Sequence, residues 1–237
     1  MSGHIYKNFC LCKGNVIFMA VMQAIVSATI IAVAILGGNT LEGEFTILSA
    51  LCYTLVFFMA GISNTEYFKI DEQSTWVSFV ASTPLSVKGQ VAGKYYTVLI
   101  INIGILFCGF ITDIIVTGIT GSTAYAMSGV LMVLFSMEMI ICAFEMVFYI
   151  RYGSSVGLRV KGVVFGVIIA IILIYFLFGD ISFILSDDPI AALIEFLAGP
   201  VPAWITAILP FAAVGMYAVS YALSLKLYRK GAENYGD

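Results

Sequence analysis

Charged residues and histidine are scarce in this sequence. Only 11% of its 237 residues are charged, whereas 61% are hydrophobic and the mean hydropathy is +1.05. Since ordinary soluble domains contain roughly 25% charged residues, this composition excludes that class of protein. The chain is also too short to hold several membrane spans and a soluble catalytic domain of typical size.

The motifs that enzymes need are missing as well. The single histidine, His4, lies near the N-terminus, which excludes a Ser–His dyad within the membrane and disfavours a histidine metal site. No G-x-x-x-x-G-K-[ST] loop occurs, so the chain does not bind ATP through a P-loop. The five cysteines are too scattered for a disulfide framework. We therefore expect no catalytic residue, no metal, no cofactor bound by this chain and no nucleic-acid partner.

Six long apolar segments are present, and they predict an all-α, polytopic membrane protein. An apolar helix of about 20 residues crosses the hydrocarbon core of a bilayer. We place the spans near residues 15–36, 46–63, 95–117, 127–150, 163–184 and 203–225, within a single transmembrane domain that covers residues 1–237. The first segment is longer than the apolar part of a secretory signal and should remain in the mature protein.

Lysine and arginine are absent from every second connection between these spans. They occur before the first span, between the second and third, between the fourth and fifth, and after the sixth: Lys7, Lys13, Lys69, Lys88, Lys94, Arg151, Arg159, Lys161, Lys226, Arg229 and Lys230. Because basic residues are retained on the cytoplasmic side during insertion, both termini and the basic connections are predicted to be cytoplasmic.

Two glutamates, Glu138 and Glu145, fall inside the fourth span. Their spacing of seven residues is almost two helical turns, so both project from one face. Two central acids cost about +5 kcal/mol or more, which the apolar residues of the span only just offset. Their face should therefore point into the bundle, a partner subunit or a wet cavity, and protonation of one acid would lower the cost.

These two acids have a functional and a structural interpretation. The functional one is a transport pathway or a proton site, and the structural one is hydrogen bonding that locks the fourth span to its neighbours. The structural interpretation is favoured, because no Lys, Arg or His is predicted within a span as a relay partner.

Other features lie on the predicted external side and at the ends of spans. Residues 179–202 alternate acids with apolar runs too short to cross, which favours short re-entrant or interfacial helices over a plain loop. Asp113 is expected to reach the membrane interface. Tyr95, Tyr96 and Trp204 are expected to act as aromatic anchors among the headgroups.

Residues 64–94, the longest polar stretch, are predicted to contain a short amphipathic helix on the cytoplasmic side. Asp71 and Glu72 favour a helix N-terminus. An apolar stripe at helical spacing follows: Trp76, Phe79 and Val80. Such a helix could lie on lipid or dock into a groove on a cytoplasmic partner.

Pro84 is predicted to end this helix, because the residue before a proline disfavours the α conformation. Ser86 can then cap a second helix, which continues through Lys88 and Lys94 into the third span.

This segment resembles the connection between the second and third spans of ABC type-2 exporter permeases. The resemblance rests on Asp71-Glu72, Trp76, Ser82-Thr-Pro84-Leu-Ser86, Lys88 and Gly93-Lys94-Tyr95. One departure is that Val87 stands where the family usually has a basic residue, with Lys88 one place later. The six-span layout extends the resemblance over the whole chain.

The resemblance implies a transmembrane subunit of an exporter that works with a separate ATPase subunit, which would bind ATP and Mg. It is closest to small permeases of Gram-positive bacteria that export amphipathic or antimicrobial peptides, and it places the chain in the bacterial plasma membrane. A second copy of the chain, or a paralogue, would complete the transporter. The residues that would couple to the ATPase are Asp71, Glu72, Trp76, Phe79, Val80, Pro84, Ser86 and Lys88.

Two other functions stay open. One is the substrate-capturing membrane subunit of a vitamin-uptake transporter, although such subunits rarely carry a long charged connection after the second span. The other is a membrane scaffold or immunity protein that sequesters a peptide without transporting it.

Overall fold

The computed structural model describes residues 2–37, 42–73, 86–121, 127–178 and 200–233, and the regular secondary structure in these ranges is helical throughout. The helices are α1 (Ser2–Leu11), α2 (Lys13–Gly37), α3 (Glu42–Gln73), α4 (Ser86–Thr120), α5 (Ser128–Tyr152), α6 (Ser154–Phe178) and α7 (Pro200–Glu233). The predicted all-α class is confirmed.

The six helices from α2 to α7 are long and apolar enough to cross a membrane, as predicted. The candidate spans are Lys13–Leu36, Ile47–Asp71, Lys88–Thr120, Ser128–Tyr152, Ser154–Ile171 and Ala207–Leu227. The fifth span differs most at its start, because α6 begins at Ser154 and the predicted span began at residue 163. As a result Lys161, assigned to a connection by the sequence, lies within a helix.

Helix α5 has the most enclosed apolar stretch of the spans. In the apolar window of 18 residues that marks each span, 56% of the residues are buried in α5, compared with 17% in α2 and 11% in α6. It packs against α3, α4, α6 and α7. Close approach depends on small residues: a Cβ added at Gly109 of α4 would lie 2.9 Å from a methyl of Leu131. The polar residues of α5 are thus placed inside the bundle.

The outer surface of the bundle is apolar. Leu177 of α6 and Phe211 of α7 are exposed by 75% and 81%, and α2 exposes several isoleucines and valines in the same way. This surface would be unfavourable in water, but it suits the hydrocarbon of a bilayer. The burial pattern agrees with a polytopic membrane protein.

Helix α3 extends further than predicted, so the prediction that Asp71 and Glu72 begin a helix was wrong. These residues lie in the last turn of α3, which ends at Gln73, and do not begin a new helix. The polar stretch after residue 63 suggested the end of the span. Tyr67 and Phe68 nevertheless pack into the core at 1% and 2% exposure, so the helix continues.

Helix α1 was not predicted from the sequence. It leads into α2 with little interruption, since the Cys12 amide donates to the Asn8 carbonyl and the Val16 amide donates to the Cys12 carbonyl. It packs against α3 and α4 at the end of the bundle that carries Lys7, Lys69 and Lys94. We call this end the basic end.

Several predictions concern residues outside the described ranges. Trp76, Phe79, Val80 and Pro84 are among these residues, and so is the segment 179–199. On either side the helices are described: α4 begins at Ser86 and runs unbroken through Lys88 and Lys94, as predicted. Helix α7 begins at Pro200, a favoured place for proline because the first amide of a helix needs no intrahelical acceptor.

Candidate functional site

At the basic end, the carboxylate of Asp71 joins three helices. Its side chain is fully buried, with Lys7 Nζ of α1 at 3.0 Å from Oδ1 and Lys94 Nζ of α4 at 2.7 Å from Oδ2. Two lysines therefore face one carboxylate in a setting with little water. Charged pairs so placed interact more strongly than exposed ones and depend on complete pairing.

Tyr149 connects this group to α5. Lys94 donates to the Tyr149 hydroxyl over 3.0 Å, and that hydroxyl donates to the Phe68 carbonyl over 3.2 Å. The Tyr149 and Phe68 rings stack with their centroids 4.2 Å apart. Lys7, Phe68, Asp71, Lys94 and Tyr149 together form what we call the end cluster, which ties α1, α3, α4 and α5.

The end cluster lies near the two helix ends that flank residues 74–85. Asp71 is two residues before the end of α3, and Lys94 is in the early part of α4, which begins at Ser86. The cluster therefore connects these two helices with each other and with α1 and α5.

Deeper in the bundle, Lys161 of α6 enters a second polar group. Its ammonium donates to the Gly61 carbonyl at 2.6 Å, to Glu145 Oε2 at 3.1 Å and to Thr65 Oγ1 at 3.2 Å. The expectation that no cation accompanies the glutamates of α5 was wrong. The cause is that α6 begins earlier than predicted, which carries Lys161 into the bundle at 7% exposure.

Glu145 is well provided with donors. Besides the Lys161 ammonium on Oε2, its Oε1 accepts a hydrogen bond of 2.8 Å from the Thr65 hydroxyl. The carboxylate is 1% exposed, so these donors replace the water it lacks. They join α3, α5 and α6, which is the locking of helices that the structural interpretation describes.

Glu138 has fewer hydrogen-bond donors than Glu145. It is 4% exposed, and the Cys142 thiol donates to its Oε1 over 3.2 Å. It lies beside Gly61, where an added Cβ would be 3.0 Å from Glu138 Oε1 and 3.1 Å from Lys161 Nζ. No ion pair joins Glu138 to Lys161. We call Gly61, Thr65, Glu138, Cys142, Glu145 and Lys161 the interior cluster.

A third polar group joins α4, α5 and α7 through Tyr95. Its hydroxyl lies 2.6 Å from Ser220 Oγ and 2.8 Å from Ser224 Oγ, while Ser220 donates to the Ala143 carbonyl. Tyr95 is 3% exposed, so its predicted role as a headgroup anchor was wrong. The hydroxyls of α7, spaced four residues apart, supply its partners.

Asp113 contacts the start of α5. It is 8% exposed, and its Oδ1 accepts a hydrogen bond of 2.7 Å from the Met127 amide, just before α5 begins. The carboxylate therefore satisfies a backbone donor at the start of a helix, a position that favours negative charge.

The residues predicted to couple to a partner are separated by the structure into different settings. Asp71 is buried within the end cluster, whereas Lys88 on the first turn of α4 is exposed. Glu72 and Ser86 lie in the end turns of α3 and α4. Among the described residues, no group of three or more His, Cys, Asp or Glu side chains is placed to hold a metal ion.

The six long apolar helices define a multi-pass membrane domain. A family described as "ABC-2 family transporter protein" matches residues 5–229 of the chain. The chain therefore belongs to this family and is a transmembrane subunit of an ABC transporter. Membership implies association with an ATPase subunit and with a membrane. No curated protein and no solved structure matches the chain.

Proposed function

We propose that this chain is the transmembrane subunit of an ATP-driven exporter that works with a separate ATPase subunit. The observation that carries the proposal is the position of the end cluster. Asp71, held between Lys7 and Lys94, lies at the base of residues 74–85, the segment that resembles the coupling helix of exporter permeases. ATP and Mg would be bound by the partner ATPase.

The proposed mechanism transmits force from this segment into the bundle. Closure of two ATPase subunits pushes on the segment through the apolar stripe of Trp76, Phe79 and Val80. Asp71 receives the force at the end of α3, and Pro84 and Ser86 form the elbow into α4. Since Tyr149 belongs to the same cluster, the movement also reaches α5.

The alternation of basic residues supports the orientation that this mechanism needs. Lys69, Lys88 and Lys94 flank residues 74–85, and lysines mark the cytoplasmic side of a membrane protein. Both termini and the coupling segment then face the cytoplasm, where the ATPase subunit acts. We place the protein in the bacterial plasma membrane.

The proposed cargo is an amphipathic or antimicrobial peptide, or a hydrophobic compound. Six spans with a largely apolar surface provide half of a pathway, which a second copy of the chain or a paralogue would complete. The resemblance of the segment around residues 71–95 to Gram-positive peptide-exporter permeases favours peptides.

Co-purification distinguishes export from the two alternatives. A tagged chain, purified from its native membrane, should retain a P-loop ATPase in a complex with two permease copies. A lone chain that binds a vitamin would support uptake, and a chain that binds a peptide without any ATPase would support a scaffold or immunity protein.

The coupling segment is tested by comparing the two tryptophans of the chain. In reconstituted complexes, Trp76→Ala should lower the permease-dependent ATPase rate several-fold while membrane insertion is unchanged. Trp204→Ala is the matched control, because this side chain is 69% exposed at the start of α7 and does not belong to the coupling segment. Equal rates in the wild type and Trp76→Ala would rule out the proposed coupling role.

A further inference from the structure

Lys161 has no donor left for Glu138. An ammonium group has three N–H donors. In Lys161 they are matched by the Gly61 carbonyl, the Thr65 hydroxyl and Glu145. The Thr65 hydroxyl accepts from Lys161 and donates its own hydrogen to Glu145. Glu145 is therefore the glutamate that the cluster supports as an anion.

An ionised Glu138 would be poorly compensated. Among the described residues it accepts a hydrogen bond from the thiol of Cys142, a weak donor, and the side chain is buried within α5. A buried carboxylate without a cation or strong donors costs several kcal/mol, and such a group gains a proton instead. Two acids in one cluster with a single lysine thus favour different protonation states.

A second observation points to the same place. The Asn64 side chain, 1% exposed, donates to Cys142 Sγ over 3.7 Å. Its carbonyl oxygen has no hydrogen-bond partner among the described residues. Cys142 thus contacts both an amide whose oxygen lacks a donor and an acid that lacks an ion pair, so the polar groups on this side of the cluster are short of hydrogen-bond donors.

We propose that Glu138 is a proton-binding site, which holds a proton in this conformation because Lys161 is committed to Glu145. The reaction is reversible protonation: the Glu138 carboxylate takes up a proton from water, and it releases the proton to water when Lys161 turns toward it. Gly61 provides the space for that exchange, since both Glu138 and Lys161 lie within 3.2 Å of the position of its missing Cβ.

The other groups around Glu138 leave Lys161 as the one that decides its charge. On α5 itself the titratable neighbours are Cys142 and Glu145. The charged residues of α6 are Lys161, which is buried, and Arg159, which is exposed. Helix α3 contributes Gly61, Asn64 and Thr65, which carry no charge. On α4 and α7 the titratable groups near Cys142 are the phenols Tyr95 and Tyr217, which are neutral near pH 7.

Infrared spectroscopy of the full chain in lipid nanodiscs tests the proposal without any ATPase, so its outcome is independent of the proposed export function. At neutral pH the wild type should show the C=O stretch of a protonated carboxylic acid, with a shift in D2O and loss at alkaline pH. Glu138→Gln should abolish this band. Glu66→Gln, a change of the same kind at an exposed glutamate, should retain it.

Glu145→Gln tests the part played by Lys161. This change removes the carboxylate that holds the ammonium, so Lys161 should pair with Glu138 and the acid band should disappear although Glu138 is present. A wild type without the band at neutral pH, or a band that persists in Glu138→Gln, would overturn the proton site. Persistence in Glu145→Gln would overturn control by Lys161. Should Glu138→Gln fail to fold, the pH titration of the acid band in the wild type and its presence or absence in Glu145→Gln still test the proposal.

Discussion

The end cluster and the interior cluster use the same residue types in opposite proportions. In the end cluster two lysines, Lys7 and Lys94, face the single carboxylate of Asp71. In the interior cluster one lysine, Lys161, faces two glutamates and pairs with Glu145. In the first arrangement each carboxylate oxygen of Asp71 has its own lysine, which suits a rigid anchor. The second leaves one acid without a cation and can therefore exist in two pairings.

The two clusters are also neighbours. Glu145 and Tyr149 are one turn apart on α5, and so are Thr65 and Phe68 on α3. A displacement of the end cluster would thus be felt in the interior cluster through both helices. On this view, the anchor receives the movement of the coupling segment and the interior cluster responds to it.

The largest expected effect comes from removing the lysine of the interior cluster. Lys161→Met leaves Glu145 buried without its cation, which should lower the free energy of unfolding by about 3–5 kcal/mol. Adding Glu145→Gln should recover much of this loss, because the unpaired charge is then gone. Unfolding in mixed micelles measures the stability of the single and the double variant. Lys226→Met, at an exposed lysine of α7, is the control and should have little effect. Equal stability of Lys161→Met and this control would show that the ion pair contributes nothing.

The next effect concerns the anchor. Asp71→Asn removes the charge that Lys7 and Lys94 share, and should lower the free energy of unfolding by about 2–3 kcal/mol, as expected for hydrogen bonds to a charged group. The permease-dependent ATPase rate should fall as well, because the end of α3 is then no longer held to α1 and α4 by the carboxylate.

Glu66→Gln is the matched control for Asp71→Asn. Glu66 pairs with Lys69 at 2.6 Å, but both side chains are about half exposed, at 50% and 41%. Exposed pairs contribute about 0–1 kcal/mol. Similar losses in the two variants would contradict the distinction between a buried anchor and a surface pair.

The smallest expected effect tests the space between Glu138 and Lys161. Gly61→Ala places a methyl group about 3 Å from the side chains of both Glu138 and Lys161. Overpacking of this kind should cost roughly 1–2 kcal/mol. Gly104→Ala, on α4 with no atom within 4 Å of the added carbon, should be neutral or slightly stabilising. If both alanine variants behaved alike, the interior cluster would be looser than the structure indicates.

Much of the fold could be predicted from the sequence. The number of spans, their helical class and the start of α4 at Ser86 follow from apolar length and capping residues, which act locally. The burial of Asp71 and Tyr95 could not be predicted in this way. It depends on neighbours far along the chain, such as Lys7, 64 residues before Asp71.

The pairing of Lys161 with Glu145 did leave a signal in the sequence. The two residues are 16 positions apart, and Gly153, which separates α5 from α6 with φ 87°, lies midway between them. In an antiparallel helical hairpin, residues equally distant from the turn lie opposite each other. The continuous apolar run begins only at residue 163, so a span predicted from apolar length leaves Lys161 in a connection.

The difference between the clusters is tested most directly by the same kind of substitution in each. Asp71→Asn and Glu138→Gln both replace a buried carboxyl by its amide. If Glu138 is already neutral, its variant should unfold within about 0.5 kcal/mol of the wild type at neutral pH, whereas Asp71→Asn loses about 2–3 kcal/mol. Equal losses in the two variants would mean that Glu138 is an ionised, paired carboxylate, which would contradict the account.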